Sequence, residues 1–329
     1  MTRLASLAAC CLVLLTVASA LAQRPGNLRD RVEVLENIEY AKAGDISLQI
    51  NVYKPKEASD QPRPCIVWIH GGGWQNGDKS SGLSRLARYV AGGQFVGASV
   101  GYRLTDKATF PAQIHDCKAA IRHLRANAAK YGINPDKIGV WGSSAGGHLV
   151  ALLGTSGDAK EIEGDLGTTG VSSRVACVVD FCGPSDFLAF GRDAPGMNRS
   201  GQPVFKLLGG PTVEKEELAR QASPVTYVTQ DDPPFLVVHG TDDRTVPFNQ
   251  GERLHAALKE AGVDTTFIPI EGGGHGIGGE EIESRVRTFF DKHLLGKEAE
   301  VSAEPIKQPA GEGKAKSKEN RKAKVKAKP

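Results

Sequence analysis

The chain lacks a long hydrophobic run, internal repeats and a strong charge of either sign, and these absences narrow what kind of protein it can be. Its most apolar stretch, residues 4–17, is too short for a stable membrane span. The 329 residues are 40% hydrophobic, and the composition gives no sign of disorder across most of the chain. The length therefore suits one large α/β domain or two small ones.

The first 22 residues have the layout of a secretory signal peptide. Arg3 precedes the apolar stretch, and Ala20-Leu21-Ala22 provides an A-x-A cleavage site. We expect cleavage after Ala22, with Ala20 as the near alternative, and hence a secreted or periplasmic protein. An uncleaved anchor is the competing interpretation. A lipoprotein signal at Cys10 is not supported, because the apolar stretch mostly follows that cysteine.

Cysteines are few, and four of the six remain after the predicted cleavage. They are Cys65, Cys117, Cys177 and Cys182. Cys177 and Cys182 flank a strand-like run that would hold them about 16 Å apart, which is beyond the reach of a disulfide. Cys65 with Cys117 is the only bridge worth testing, and buried free thiols are the favoured expectation.

Positive charge is in slight excess and is concentrated at the C-terminal end. The whole chain has 41 Lys and Arg against 38 Asp and Glu. Residues 297–329 hold ten basic and five acidic side chains, which leaves residues 23–296 mildly acidic, with 30 against 33. The Lys/Ala-rich end has almost nothing to bury, so we expect residues 297–329 to be a disordered tail. Such a tail favours non-specific contact with anionic surfaces, and no specific nucleic-acid partner is predicted.

Strand-like and helix-like segments alternate through the rest of the chain. Residues 46–52 alternate with period two, as a half-exposed antiparallel strand does. Strand-like runs follow at 65–69, 95–100, 137–141, 175–181, 235–239 and 265–270, with helical patterns between them. The order predicts an α/β fold with a mostly parallel central sheet and helices on both faces. Residues 183–232 break the rhythm, and we expect them to form a small cap over the site.

The pattern Gly142-Ser143-Ser144-Ala145-Gly146 lies between a strand-like run and a helix-like one. A G-x-S-x-G pattern in that position is typical of a nucleophile elbow, in which a serine occupies a tight, strained turn. The flanking glycines remove side chains that would collide there. Because the chain has 39 glycines, the pattern alone is weak, and Ser144 needs partners before it can be interpreted as a nucleophile.

Candidate partners follow other predicted strands. His275 lies after residues 265–270 and is the candidate base, while Asp243 lies after residues 235–239 and is the candidate acid; this chain order is that of the α/β-hydrolases. Backbone N–H groups of Gly72, Gly73 and Ala145 are the candidate donors for an oxyanion. Trp74 is a candidate wall of the substrate pocket.

Four motifs together resemble the α/β-hydrolase superfamily, and within it the hormone-sensitive-lipase-like and bacterial feruloyl- and acetyl-esterase-like branch. They are HGGGW at 70–74, GSSAGGH at 142–148, PPFLVVHGTDDRTVP at 233–247 and EGGGHG at 271–276. The resemblance implies an α/β-hydrolase fold and carboxylic ester hydrolysis by a Ser-Asp-His triad, with neither metal nor organic cofactor. In the family pattern H-G-x-x-D-x-x-V-P the acid falls on Asp243, with Asp242 as the alternative, and His239 is structural.

These features predict a secreted serine esterase that acts through an acyl-enzyme. Export and a short cap favour a small ester or an acylated carbohydrate as substrate, such as acetylated or feruloylated xylan. An amide hydrolase of the exo-peptidase or formamidase kind stays open, because the same triad cleaves amides. A non-catalytic hydrolase-fold binding protein also stays open, although no member of the triad is missing. The sequence predicts no oligomeric state.

Overall fold

The computed structural model describes residues 28–157 and 159–307, which contain nine strands and nine α-helices. The strands are β1 (Val32–Ala43), β2 (Ile46–Pro55), β3 (Arg63–Ile69), β4 (Val96–Val100), β5 (Ile133–Ser143), β6 (Cys177–Phe181), β7 (Phe235–Gly240), β8 (Thr265–Glu271) and β9 (Ile306–Lys307). The helices are α1 (Gly82–Val90), α2 (Ala112–Ala126), α3 (Ala128–Tyr131), α4 (Ala145–Thr155), α5 (Phe187–Asp193), α6 (Pro203–Leu208), α7 (Glu216–Gln221), α8 (Asn249–Glu260) and α9 (Glu280–Leu295).

The predicted signal peptide and most of the predicted tail lie outside the described residues. Within the described part of the chain, no helix combines the length and the apolar character needed to cross a bilayer.

One sheet runs through the described part of the chain in the order β1-β2-β4-β3-β5-β6-β7-β8-β9. β2 pairs antiparallel with both β1 and β4, and every later neighbour, from β4–β3 to β8–β9, is parallel. This confirms the predicted mostly parallel sheet. Because parallel strands all end at the same edge, the loops after β3, β5, β7 and β8 are brought together there.

The central strands are buried on both faces, which explains their continuous apolar runs. In β3, Cys65, Val67 and Ile69 belong to the core cluster that includes side chains of α2, α4 and α8. Ile66 and Trp68 point to the other side, into the cluster with α1 and α9. Helices therefore cover both faces of the sheet, as the alternation of elements predicts.

Both edges of the sheet extend beyond what the sequence pattern indicates. β1 is not predicted, since two register shifts against β2 interrupt its alternation. At the other edge, Ile306 pairs with Ile270 of β8 and is only 7% exposed. The expectation of a disordered tail from residue 297 does not hold for Ile306 and Lys307, which pair with β8, because an isolated buried residue gives no periodic signal in the sequence.

The four cysteines at positions 65, 117, 177 and 182 are buried and free, as expected. Burial raises the pKa of the Cys65 thiol, because the thiolate would lose its hydration. Cys65 and Cys117 are not bridged.

The segment predicted as a cap, residues 183–232, contains α5, α6 and α7. Phe187 and Val204 are fully buried and join the same core cluster as α2 and α4. The cap is also tied by its backbone, since the Phe110 N–H donates to the Leu207 carbonyl at 2.8 Å. These contacts pack the cap against the body of the domain.

Candidate active site

Ser144 occupies the sharp turn between β5 and α4. Its backbone has φ 59° and ψ −121°. The Ser144 N–H donates to the carbonyl of Phe181 at 2.7 Å, and its own carbonyl accepts from the His148 N–H at 2.9 Å. A positive φ is unfavourable for a serine and persists only where the surrounding structure imposes it. The predicted elbow is therefore present.

Two glycines of the elbow have no room for a side chain. A Cβ on Gly142 would lie 2.2 Å from the carbonyl oxygen of Gly146. A Cβ on Gly146 would lie 2.1 Å from the carbonyl oxygen of Ile69, at the end of β3. The backbone atoms at both sites fill the space, so the elbow and the end of β3 pack directly against each other.

The structure brings Ser144, His275 and Asp243 together at the carboxyl edge of the sheet. His275 Nε2 lies 2.8 Å from Ser144 Oγ, and His275 Nδ1 lies 2.7 Å from Asp243 Oδ2. A carboxylate only accepts hydrogen bonds, so Nδ1 carries the proton and Nε2 is free to accept from the serine hydroxyl. Asp242 forms no hydrogen bond or ion pair with His275; its backbone N–H donates to the Gly273 carbonyl at 2.8 Å.

The Asp243 carboxylate is shielded from solvent and surrounded by donors. Its Oδ1 accepts from the N–H groups of Thr245 and Val246 at 2.8 and 3.0 Å. His239 Nε2 lies 3.4 Å from Oδ2 and 3.0 Å from the Val246 carbonyl. Burial alone would raise the pKa of Asp243, but the neighbouring imidazoles of His239 and His275 and the Thr245 N–H together hold this pKa well below its usual range. The carboxylate is therefore ionised near neutral pH and can stabilise a positive charge on His275.

Residues 70–77, called here the glycine loop, lie directly beside the serine. A Cβ on Gly71 would be 3.3 Å from Ser144 Cβ. Gly72 and Gly73 have φ 118° and 61°, and the turn is closed by the Gln75 N–H, which donates to the Gly72 carbonyl at 3.2 Å. Among the described residues, the N–H groups of Gly72 and Gly73 have no protein acceptor. Such N–H groups can bind an anion.

Ala145 is the first residue of α4, so its N–H lies at the helix N-terminus, where N–H groups lack partners within the helix. All three predicted donors, Gly72, Gly73 and Ala145, border the same cavity as Ser144 and His275.

Trp74 borders this cavity as well, but its side chain is only 2% exposed. The indole N–H donates to His148 Nδ1 at 3.2 Å, and the ring packs against Phe187 of the cap with centroids 5.8 Å apart. Most of the Trp74 side chain therefore serves packing.

The cavity in front of Ser144 has a volume of about 660 Å³ and two chemically different walls. The cap supplies an apolar wall of Pro184, Phe190, Met197 and Pro203. Residues 75–85 supply a polar wall that includes Gln75, Asn76, Asp78, Ser84 and Arg85. The polar wall is not predicted from the sequence, because its residues form no motif and only the fold places them beside the serine.

The described residues contain one cluster whose side chains could hold a metal ion, formed by Cys182, Asp243 and His275 with ligand atoms within 4.8 Å of one another. The two His275 nitrogens already face Ser144 and Asp243. Burial raises the pKa of the Cys182 thiol, and metals bind the thiolate form. The cluster is better suited to hydrogen bonding than to metal binding.

Comparison with known proteins identifies the family. The model of the family described as BD-FAE matches residues 50–258, which is more than half of the chain. The chain belongs to the BD-FAE family. The esterases among its relatives confirm the predicted resemblance to the α/β-hydrolase superfamily and its hormone-sensitive-lipase-like esterase branch.

The chain is similar to several esterases, and solved structures are among the matches. Esterase LipC of Mycobacterium tuberculosis is 33% identical over 240 residues, which cover 71% of this chain and 58% of LipC. A truncated carbohydrate esterase from gut microbiota aligns with a TM-score of 0.72 at 33% identity, over 80% of this chain and 96% of that one. A propionate-bound esterase of Thermogutta terrifontis aligns with a TM-score of 0.65 at 28% identity, over 83% and 97%. The chain spans little more than half the length of LipC.

Proposed function

We propose that this protein is a serine carboxylic ester hydrolase in which Ser144, His275 and Asp243 form the catalytic triad. The observation that carries the proposal is the continuous relay from Asp243 Oδ2 through His275 to Ser144 Oγ, with distances of 2.7 and 2.8 Å. The esterases among its relatives support ester hydrolysis over amide hydrolysis.

The geometry accounts for each step of such a reaction. His275 Nε2 takes the proton of Ser144 Oγ as the oxygen bonds to the ester carbonyl carbon, and the carbonyl electron pair moves onto its oxygen. The N–H groups of Gly72, Gly73 and Ala145 stabilise the resulting oxyanion. The carbonyl then re-forms and the ester C–O bond breaks as His275 gives its proton to the departing alcohol oxygen, so that the acyl group stays on Ser144.

Water completes the cycle by the same route. It attacks the acyl carbon while His275 accepts its proton, the acid departs, and the proton returns to Ser144 Oγ. Asp243 stays ionised throughout and holds the His275 tautomer by accepting from Nδ1–H.

The proposed substrates are short-acyl or feruloyl esters of carbohydrates. The apolar cap wall fits an acyl group, whereas the hydroxyl, amide and charged side chains of the opposite wall fit the hydroxyl groups of a sugar. The similarity to a gut-microbiota carbohydrate esterase supports the same class. Secretion through the predicted signal peptide is part of this proposal, because acylated polysaccharides are extracellular.

The central test is Ser144→Ala with p-nitrophenyl acetate as substrate. Loss of the attacking oxygen should abolish hydrolysis, while thermal unfolding of the variant stays close to that of the wild type. Retained activity would refute the assignment of Ser144.

A substrate series tests the finer part of the proposal. p-Nitrophenyl esters of increasing acyl length, acetylxylan, methyl ferulate and p-nitroacetanilide should be compared at matched enzyme concentrations. We expect activity on short or feruloyl esters and on acetylxylan. A preference for long acyl chains would contradict the carbohydrate class, and faster cleavage of the anilide would favour the amide hydrolase.

A further inference from the structure

His148 is fully buried beside the site, yet none of the steps above uses it. It lies in the second turn of α4, the helix that begins directly after Ser144. Both ring nitrogens are hydrogen-bonded: the Trp74 indole N–H donates to Nδ1 at 3.2 Å, and Nε2 lies 2.7 Å from the Ala222 carbonyl. A buried histidine with a partner on each side has a defined orientation.

These partners also define its proton. The indole only donates and the carbonyl only accepts, so Nδ1 is bare and Nε2 carries the hydrogen. A second proton would have to sit on Nδ1, facing the Trp74 donor. Burial lowers the pKa of His148 to about 4, against the smaller opposing effect of the hydrogen bond to Ala222. The ring therefore stays neutral near neutral pH and keeps both bonds.

The two bonds join three parts of the site that are remote in sequence. Trp74 belongs to the glycine loop, His148 to α4, and Ala222 to the cap, just after α7. Phe187 of the cap closes the group, since its ring lies 4.9 Å from the His148 ring and 5.8 Å from the Trp74 ring, measured between centroids. The glycine loop and α4 supply the proposed oxyanion donors, and the cap supplies the apolar wall.

Trp74 needs such an anchor. Its φ of 57° lies in the left-handed region, which a bulky residue rarely adopts unless its surroundings impose it. The indole bond to His148 fixes the side chain, and the Trp74 carbonyl accepts from the Thr105 N–H at 2.9 Å. Gly73 directly precedes Trp74, so the backbone that carries the Gly72 and Gly73 N–H groups is continuous with this anchored residue.

We propose that His148 is a positioning residue for the reaction: by bonding Trp74 and Ala222 at once, it holds the glycine loop and the cap against the helix of the nucleophile. It thereby sets the distance between the Gly72 and Gly73 N–H groups and the oxygen of the bound ester. The inference rests on the proposed esterase function. Since the oxyanion exists only in and near the transition state, loss of this control lowers kcat and leaves KM nearly unchanged.

Three single variants separate the two hydrogen bonds. Trp74→Phe keeps an aromatic ring but removes the indole N–H. His148→Leu removes both bonds at a residue that does not line the cavity. His148→Gln is the conservative variant, because its amide oxygen can accept from Trp74 while its NH₂ group donates to Ala222.

The readout is kcat and KM for p-nitrophenyl acetate. We expect kcat to fall about 10-fold in Trp74→Phe and about 10²-fold in His148→Leu, with KM within about twofold of the wild type. His148→Gln should recover a large part of the loss. The double variant with Trp74→Phe and His148→Leu should have a kcat no lower than that of His148→Leu, because each substitution removes the bond between Trp74 and His148.

His123→Gln is the matched control. His123 also lies in a helix and pairs through Nε2 with the Tyr131 hydroxyl at 3.0 Å, but Tyr131 precedes the start of β5 whereas Ser144 follows its end. This variant should keep the wild-type kcat. Should His148→Leu fail to fold, Trp74→Phe and His148→Gln still probe the same bond.

Two outcomes would overturn the inference. Folded variants with wild-type kcat would show that His148 does not position the loop. If Trp74→Phe raised KM without lowering kcat, Trp74 would act as a wall of the pocket and not as a support of the glycine loop. If the wild type hydrolyses no ester, the proposed function itself fails, which is a different result from an active wild type matched by His148→Leu.

Discussion

The contact between α4, the helix that follows Ser144, and the end of β3 allows a quantitative test of how the site is built. Gly146 lies in the first turn of α4, and a Cβ there would be 2.1 Å from the carbonyl oxygen of Ile69 and 2.7 Å from that of His70. Ile69 ends β3, and His70 begins the glycine loop. Since contacts of Cβ shorter than 3.0 Å are essentially never observed, Gly146→Ala must open the closer gap by about 0.9 Å.

This opening has two separate consequences. Both neighbouring atoms are backbone oxygens that cannot rotate aside, so α4 and β3 must move apart, at a cost of roughly 1–3 kcal/mol in stability. The same movement takes Ser144 and Ala145 away from Gly72 and Gly73. A misplacement of about 1 Å can cost about 10²-fold in rate, so we expect kcat for p-nitrophenyl acetate to fall by about that factor. Steady-state kinetics and urea unfolding measure the two effects separately.

Gly154→Ala is the control for overpacking. It lies at the other end of α4, where a Cβ would be 2.5 Å from Phe235 Cζ and 2.6 Å from Val178 Cγ2. This variant should lose stability but keep its kcat, because the crowded atoms are far along the helix from Ser144. Wild-type kcat in Gly146→Ala, or equal losses of kcat in both variants, would refute the idea that the contact with β3 sets the geometry of the site.

Two further predictions concern Asp243 and His148. Asp243→Asn should lower kcat by about 10⁴-fold at pH 7, because an amide can donate to His275 Nδ1 and so favour the wrong tautomer; steady-state kinetics would contradict this if the loss were below about 10-fold. For His148, the folded-state pKa is lowered to about 4. As the pH falls, this histidine takes up a proton in the unfolded chain near its ordinary pKa of about 6.5. In the folded chain it stays neutral until a lower pH. The contribution of neutral His148 to the free energy of unfolding is therefore complete above about pH 6.5. It falls by an amount on the order of 3 kcal/mol as the pH is lowered to about 4. Urea unfolding at pH 7, 5 and 4 should show this loss in the wild type and a flatter profile in His148→Gln, and equal slopes would contradict it.

The proposed triad residues could be located from the sequence because each lies in a short motif at the end of a strand-like run. Ser144, Asp243 and His275 follow β5, β7 and β8, and parallel strands bring these ends to one edge. The chemistry also restricts residue types, since a serine nucleophile needs a base and an acid. The strand pattern and the motif order together therefore predicted both the mostly parallel sheet and the three side chains that meet there.

Other parts of the site depend on contacts that no local pattern reports. His148 has both of its partners 74 residues away, in opposite directions along the chain. Arg85 and Asp78 reach the cavity only because the segment before and within α1 folds beside the glycine loop. Ile306 completes the sheet as one buried residue in a polar stretch. In each case the sequence contains the residue, but its role is set by a neighbour that only the fold supplies.

The glycines show how the two kinds of information join. Their abundance weakens any single motif, yet some of them lie where two functional loops meet backbone to backbone. Gly146 meets the Ile69 carbonyl, which joins the elbow to the glycine loop, and a Cβ on Gly240 would lie 2.4 Å from the Gly273 carbonyl, which joins the loop of Asp243 to that of His275. A side chain at either place would separate the loops by more than the tolerance of a hydrogen bond. The absence of side chains at Gly146 and Gly240 is therefore part of what allows His275 to lie within 3 Å of both Ser144 and Asp243.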